Sequence, residues 1–574
     1  MVTIETDVLV IGTGGAGCRA AIEAKKHVDN VVIVSKGPIS KSELTIMTMP
    51  GFDATLPGDE EGNVRRFFED TMAGGSFLND EDLVDVLTKQ SSEAVMFLEG
   101  LGVRFDRTPD GKIYRAQGES EKYTSDIKLR LDDNMGRTFY NALIGELARR
   151  QIFLKEDVFI MDLLVIDGGV VGAFGIDIRK GEPITFLSKA TILATGGAGG
   201  LYSIRTGSPR DTGDGFAMAY RAGAEIIDME FLQSNPAALV YPESVRGVVT
   251  PGWYLFMGKG IKYTNKNGEA FLERYDSRKE MSTRDVKARA MHTEIVHGRA
   301  SEHGGIYLDF KGIRLEGTTL ETYLKKNSPH MLNYVKLCGL PPEKILNEVI
   351  EIGPAAHFTC GGIKINTRCE TGVKGLFAAG EVTGGIHGAN RLAGNAMTDI
   401  FVFGGVVGNQ AGTYAKSIGK VKLSKVLKEF IKAEEKRVVS ILDRKEKNGV
   451  KAAGVRKKIE ESMFTYAGFG RDESGLKKEL SILEEIKGDE LPRVYPVDRS
   501  RIYNYDWIQI LEFDNMMEVG EMIARGALYR KETRGCQNRT DFPEKDDKNW
   551  QKHTLLRKEG DRMTVTTSPR RAIS

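Results

Sequence analysis

Several kinds of chemistry are excluded by what this chain lacks. Its five cysteines (Cys18, Cys338, Cys360, Cys369 and Cys536) are odd in number and scattered. They form no C-x-x-C ladder, which argues against a disulfide framework, a cysteine-held iron–sulfur cluster, a haem attachment or a metal site of its own. Charge of one sign is not in excess. The 81 lysines and arginines nearly balance the 80 aspartates and glutamates, so nothing points to nucleic acid or an acidic membrane surface. Long apolar runs are missing too, since the stretch around Ile400 to Val407 is too short to cross a bilayer. The chain enters its first apolar run without a basic and then hydrophobic leader, so the cytoplasm is the expected compartment. Glycine, by contrast, is plentiful: 65 residues in 574, with no low-complexity tract. That usage suits backbone that comes close to a ligand at many places.

The glycines are most telling at the start. Asp7-Val-Leu-Val-Ile-Gly-Thr-Gly-Gly-Ala-Gly17 sets an apolar run before Gly12, Gly14 and Gly17 in G-x-G-x-x-G spacing, and Ala20 to Lys26 reads as helix. The first glycine permits the tight turn, the second lets backbone approach a pyrophosphate, and the third packs helix on strand. A second apolar strand, Val31-Val-Ile-Val34, follows and ends in Ser35-Lys36 where an acidic residue often binds a ribose. Strand, turn and helix in this order predict a bound dinucleotide.

Residues 1–235 alternate strand-like and helix-like segments, with a hairpin expected at Asp167-Gly168-Gly169. Residues 236–352 are more polar and read as an inserted domain. Residues 353–411 return to the apolar, glycine-rich style, 412–520 are mainly charged amphipathic helices, and 521–574 form a polar, arginine-rich tail.

Three further motifs appear in family order: Thr191-Ile-Leu-Ala-Thr-Gly-Gly197, Asp211-Thr-Gly-Asp-Gly215, and Gly375-Leu-Phe-Ala-Ala-Gly-Glu381 running on to Asn395. With them the chain resembles, over nearly its whole length, the flavoprotein subunits of fumarate reductase and succinate dehydrogenase, a family that includes L-aspartate oxidase. The resemblance implies an α/β fold: a Rossmann-like FAD-binding domain (1–235 and 353–411), an inserted α+β capping domain (236–352), a helical domain and a C-terminal domain. It implies FAD contacts at Gly12, Gly14, Gly15, Ala16, Gly17, Ser35, Lys36, Thr195, Gly196, Gly197, Asp214, Glu381, Arg391, Asn395 and Ala396. Membrane-bound members attach the flavin covalently to a histidine soon after the second strand. Residues 39–47 here contain none, so non-covalent FAD is expected, a difference that in the family goes with a lower flavin potential and with substrate reduction.

The resemblance also implies the reaction: hydride exchange between flavin and one carbon of a carboxylate-activated double bond, with an arginine protonating the other carbon. Met281-Ser-Thr-Arg-Asp285 supplies that arginine as Arg284, Pro354-Ala-Ala-His357 a substrate-binding histidine, and His387-Gly-Ala-Asn-Arg391 a carboxylate grip. An arginine in so uncharged a segment as that of Arg391 needs an anionic partner, either substrate or a protein carboxylate. Elsewhere the pattern departs from the family. Ser234-Asn235-Pro236-Ala237 replaces His-Pro-Thr, and Tyr254 and Met257 fall where a glutamate and an arginine relay protons, leaving Asn235, Tyr254 and Met257 to line a less polar pocket. The expected substrate is a small carboxylate, fumarate or a related enoate, and the expected partner an iron–sulfur protein, with Arg530, Arg534 and Arg539 of the tail either facing it or solvated. A short likeness of Gly252–Gly260 to adenylylsulfate reductase keeps a sulfur-directed enzyme as a second reading. A flavoprotein that only relays electrons is the third.

Overall fold

A computed structural model describes residues 2–573, apart from 42, 49–50, 60, 117–125, 128–134, 250–255, 257, 283, 316, 328–331, 333–348 and 446–447. Its central sheet is built around the first strand, Val2–Ile11. This strand runs parallel to Val31–Val34 on one side and to Glu182–Leu193 on the other. Leu376–Ala378 also lies parallel to Glu182–Leu193, which brings the distant third motif back to the first. The inner strands are apolar at consecutive positions because both faces of the sheet are covered. The expected hairpin pairs Val158–Ile166 with Gly169–Asp177, and Asp167 and Gly168 at its tip both have positive φ.

Two helices cover the glycine fingerprint. Gly15–Ala24 starts directly after the turn, and the 23-residue helix Asn395–Ser417 lies against it. A Cβ on Gly408 would sit 2.3 Å from the Ala20 carbonyl oxygen, and one on Gly412 3.1 Å from that of Ala24. Small residues one turn apart on the long helix therefore set how closely the two helices approach. Its N-terminal end comes to rest beside the dinucleotide fingerprint, with Ile400 in contact distance of Gly15.

The inserted segment forms an antiparallel sheet in the order Leu232–Leu239, Val349–Thr359, Ile306–Asp309, Lys262–Thr264, with its own apolar core around Phe256, Tyr263 and Phe310. Boundaries at 235 and 353 thus fall inside two strands that pair with one another. Likewise the helices Asn395–Ser417 and Tyr505–Tyr529 run through 411 and 520. Cuts placed where composition changes miss ladders and helices that continue across them.

The tail corrects one expectation. Arg530, Arg534 and Arg539 are 0%, 2% and 0% exposed, neither solvated nor free to face a partner. Arg530 pairs with Glu230 at 2.6 Å and Glu532 at 3.0 Å, Arg534 with Glu532 at 2.7 Å, and Arg539 with Asp541 at 2.8 Å. The hairpin His553–Glu559/Arg562–Ser568 then joins Ile226–Ile227 as strands of a second sheet.

Candidate active site

The fingerprint opens onto a cavity with about 980 Å³ of empty space, open solvent included. Gly12, Gly14, Gly15, Ala16, Ser35, Lys36, Thr195, Gly196, Asp214 and Glu381 all line it. Gly17 and Gly197 support the wall instead: a Cβ on Gly17 would lie 1.9 Å from the Gly12 carbonyl oxygen, and one on Gly197 2.1 Å from Glu381 Oε1. Arg391, Asn395 and Ala396 do not line this cavity. Asn395 begins the long helix, its amide donating to Thr71 Oγ1 at 3.0 Å, and Ala396 packs on a small cluster with Phe231, Phe358 and Cys360.

The cavity suits a dinucleotide on several counts. Gly14 has an ordinary φ of −64°, and a Cβ there would find no protein atom nearer than Thr45 Oγ1 at 3.6 Å. Nothing in the protein requires glycine at that point, whereas a ligand brought against the backbone does. The helix Gly15–Ala24 carries no acidic residue in its first turn to compete for its positive end. Thr195 Oγ1 is buried and unpartnered. Glu381 takes the Thr359 N–H at 2.9 Å, and burial raises its pKa to about 7. Burial, and then Glu381, push Asp211 well up as well. Two such carboxyls match the hydroxyl groups of a sugar or polyol.

Lys36 and Asp214 reach the cavity wall already paired. Lys36 Nζ lies 2.8 Å from Asp214 and 2.6 Å from Glu512, and these partners outweigh burial to keep the ammonium charged. Sequence reasoning passed over Thr13, Glu43, Thr45, Arg210 and Asp211, which also line the cavity. Thr13 donates to Glu43 at 2.8 Å, and Thr45 Oγ1 accepts the Gly15 N–H at 2.9 Å. Polar residues in the loop after the second strand were the available signal, since the fingerprint places that loop beside the ligand.

Arg284, His357 and Arg391 come together from three parts of the chain. Arg284 begins the helix Arg284–Glu294 of the inserted segment and is half-buried. His357 lies on the strand Val349–Thr359. Arg391 lies within the third motif and is 7% exposed. Burial, then Arg391 and Arg284, hold the His357 pKa well below its ordinary value. Among the described residues no carboxylate oxygen lies in ion-pair distance of Arg391. Its Nε has no partner, and Nη1 donates to Leu392 O at 3.3 Å. Phe358 stacks under the guanidinium, 4.7 Å from ring centre, while Gln233 Nε2 fixes the Arg391 backbone through its carbonyl at 2.8 Å. A buried cation so poorly compensated is chemically suited to receive an anion. Asn235, expected in this pocket, turns its Oδ1 onto the Ala237 N–H at 3.0 Å. Tyr254 and Met257 lie outside the described residues, and Phe256 is core packing against Phe310.

A family model described as an FAD binding domain matches residues 7–397, and one described as the fumarate reductase flavoprotein C-terminus matches 456–572. The chain is thus an FAD-binding oxidoreductase. More narrowly, it belongs to the family of fumarate reductase and succinate dehydrogenase flavoprotein subunits. It is 38% identical to a fumarate reductase (CoM/CoB) chain of Methanothermobacter marburgensis, over 96% of this protein and 97% of that one. It is 31% identical to the succinate dehydrogenase flavoprotein subunit of Rickettsia conorii, over 96% and 92%. A solved E. coli quinol fumarate reductase superposes with a TM-score of 0.88 at 29% identity, over 100% of this chain and 98% of that one. Adenylylsulfate reductase from Archaeoglobus fulgidus, at 21% identity and a TM-score of 0.74 over 99% and 96%, shares the fold. Among the described residues no helix is long and apolar enough to cross a membrane, and no group of three or more His, Cys, Asp or Glu could hold a metal ion.

Proposed function

We propose that this chain reduces a carbon–carbon double bond conjugated to a carboxylate, with fumarate the first substrate to test. FAD is held without a covalent bond, so acid precipitation releases the yellow colour. The observation that carries the reading is Arg391, a buried guanidinium with no carboxylate in ion-pair distance among the described residues, beside His357 and Arg284. When bound, FAD supplies the two electrons as a hydride equivalent. Gly12, Gly14, Gly15 and Ala16 would hold its pyrophosphate, while Glu381 and Asp211 would take hydroxyl groups. Arg391 grips the substrate carboxylate in fork geometry, and the neutral imidazole of His357 adds a hydrogen bond. Arg284 delivers the proton to the second carbon. A guanidinium is a weak acid, with a pKa above about 12, so this role depends on tight placement.

Electrons come from an iron–sulfur partner, because this chain has no cysteine ladder for a cluster of its own. A preparation from the native source that carries flavin but no iron would remove that partner. The direct test is oxidation of reduced viologen by the purified holoprotein with fumarate, with monocarboxylic and aryl enoates, and in reverse with AMP plus sulfite. Turnover with an enoate is expected. Reaction with AMP and sulfite alone would replace this reading by sulfur chemistry. Arg284→Ala should keep its FAD and lose about 10²–10⁴-fold in turnover; undiminished turnover would remove the acid from Arg284.

A further inference from the structure

His357 is the residue that its ladder leaves out. Across the sheet Gln233 pairs with Phe358 and Ser234 with Ala356, so His357 is the extra residue of a bulge. Such an insertion takes a side chain out of the regular in-and-out alternation and re-aims it. The strand is held at the same point by residues 204–206. The Ala356 N–H donates to Ile204 O at 2.9 Å, the Thr206 N–H donates to Ala356 O at 2.9 Å, and Arg205 and Ala356 form a parallel bridge. This register sets Thr206 Oγ1 2.7 Å from His357 Nδ1.

We infer that Thr206 is a positioning residue whose hydroxyl donates to Nδ1 of His357 and so fixes the tautomer that offers Nε2–H to a substrate carboxylate. The inference rests on the carboxylate-binding reading of the site. Burial and the two neighbouring guanidiniums keep the imidazole neutral, and a neutral ring has one N–H. A carboxylate only accepts, so that hydrogen must sit on Nε2, leaving Nδ1 as a bare acceptor. The Thr206 hydroxyl has one hydrogen and two acceptors in reach, Nδ1 at 2.7 Å and Ala356 O at 3.4 Å. The second is near the limit of a hydrogen bond and already takes the Thr206 N–H. The hydrogen therefore goes to Nδ1. Without the hydroxyl, the Nε2–H tautomer leaves Nδ1 with no donor, and the preference for the form that bonds an anion is lost.

The test uses the holoenzyme and malonate, a dicarboxylate with no double bond to reduce, read by perturbation of the flavin absorption band. Thr206→Val keeps the shape and removes the hydroxyl; it should weaken malonate binding about tenfold, the worth of one hydrogen bond. KM for the enoate should rise by a similar factor with kcat little changed. Thr206→Ser should restore both. Wild-type affinity in Thr206→Val, or equal loss in Thr206→Ser, overturns the assignment. Failure of the wild-type protein to bind malonate sinks the carboxylate reading itself, and this inference with it. If the valine variant does not fold, ¹⁵N-histidine spectra of the wild-type malonate complex decide the matter: an Nδ1–H tautomer at His357 overturns the proposal.

Discussion

Arg530 and Arg391 are both buried guanidiniums, yet their surroundings are opposite. Arg530 has three carboxylate partners, Asp228, Glu230 and Glu532, besides two backbone carbonyls and the Thr554 hydroxyl. Those partners outweigh burial and raise its pKa. Arg391 has one long bond to a carbonyl, and burial lowers its pKa. Arg471 shows that a carboxylate is not obligatory, since it is bonded to the Ala467 and Glu230 carbonyls and the Gln537 side chain. What separates Arg391 from both is how little of its charge the protein compensates. In one region a buried cation joins distant pieces of chain. In the other it is left with one long bond to a carbonyl, as the proposed grip on a substrate carboxylate requires.

The contrast can be broken by exchanging each cation for methionine. Arg530→Met should be the more damaging to the fold, losing about 3–5 kcal/mol because Glu230 is left buried and unpaired; thermal unfolding measures it. A loss equal to that of a surface substitution would make the network ornamental. Arg391→Met should leave unfolding unchanged or shift it upward, because an uncompensated charge is removed. It should lower kcat/KM by about 10²–10³-fold through the lost carboxylate contact. A drop in melting temperature matching that of Arg530→Met would erase the distinction.

The smallest effect concerns His553, which donates to Asp228 and Asp80 in the same network. Burial alone would lower its pKa, but the two carboxylates raise it to about 9. A raised histidine stabilises fully below its unfolded value of about 6.5, and the gain is lost as pH rises through about 9. Denaturant unfolding at pH 6.5 and pH 9.5 should differ by on the order of 1–3 kcal/mol. His553→Gln should flatten that slope; an unaltered slope would locate the titration elsewhere.

Much of this was readable in the chain because glycine and arginine act locally. The fingerprint, the hairpin turn and the motifs that carry Arg284, His357 and Arg391 are short and local, and their own neighbours determine their geometry. The tail arginines misled because their acid partners lie far away in sequence, Asp228 and Glu230 some 300 positions earlier. A basic stretch looks solvated when its counter-ions are out of view. Thr206 was invisible for a related reason: its meaning comes from a bulge and a parallel bridge to Ala356, 150 residues on, and register leaves no local mark. At the expected domain edges, 235 and 353, the composition changes but the ladder runs on through the same strands.

The second sheet has one more consequence. Its strands come from residues 226–227, 362–364, 383–384 and 553–568, so the sheet cannot close until the last of them has been made. Until the hairpin His553–Ser568 is in place, Ile226–Ile227 has an open edge and Asp228 lacks its histidine. Closing that edge means joining segments more than 300 residues apart, a slow event by the cost of long loops. Closure of this sheet is therefore a late step in folding, with unpaired strand exposed to other chains in the interval.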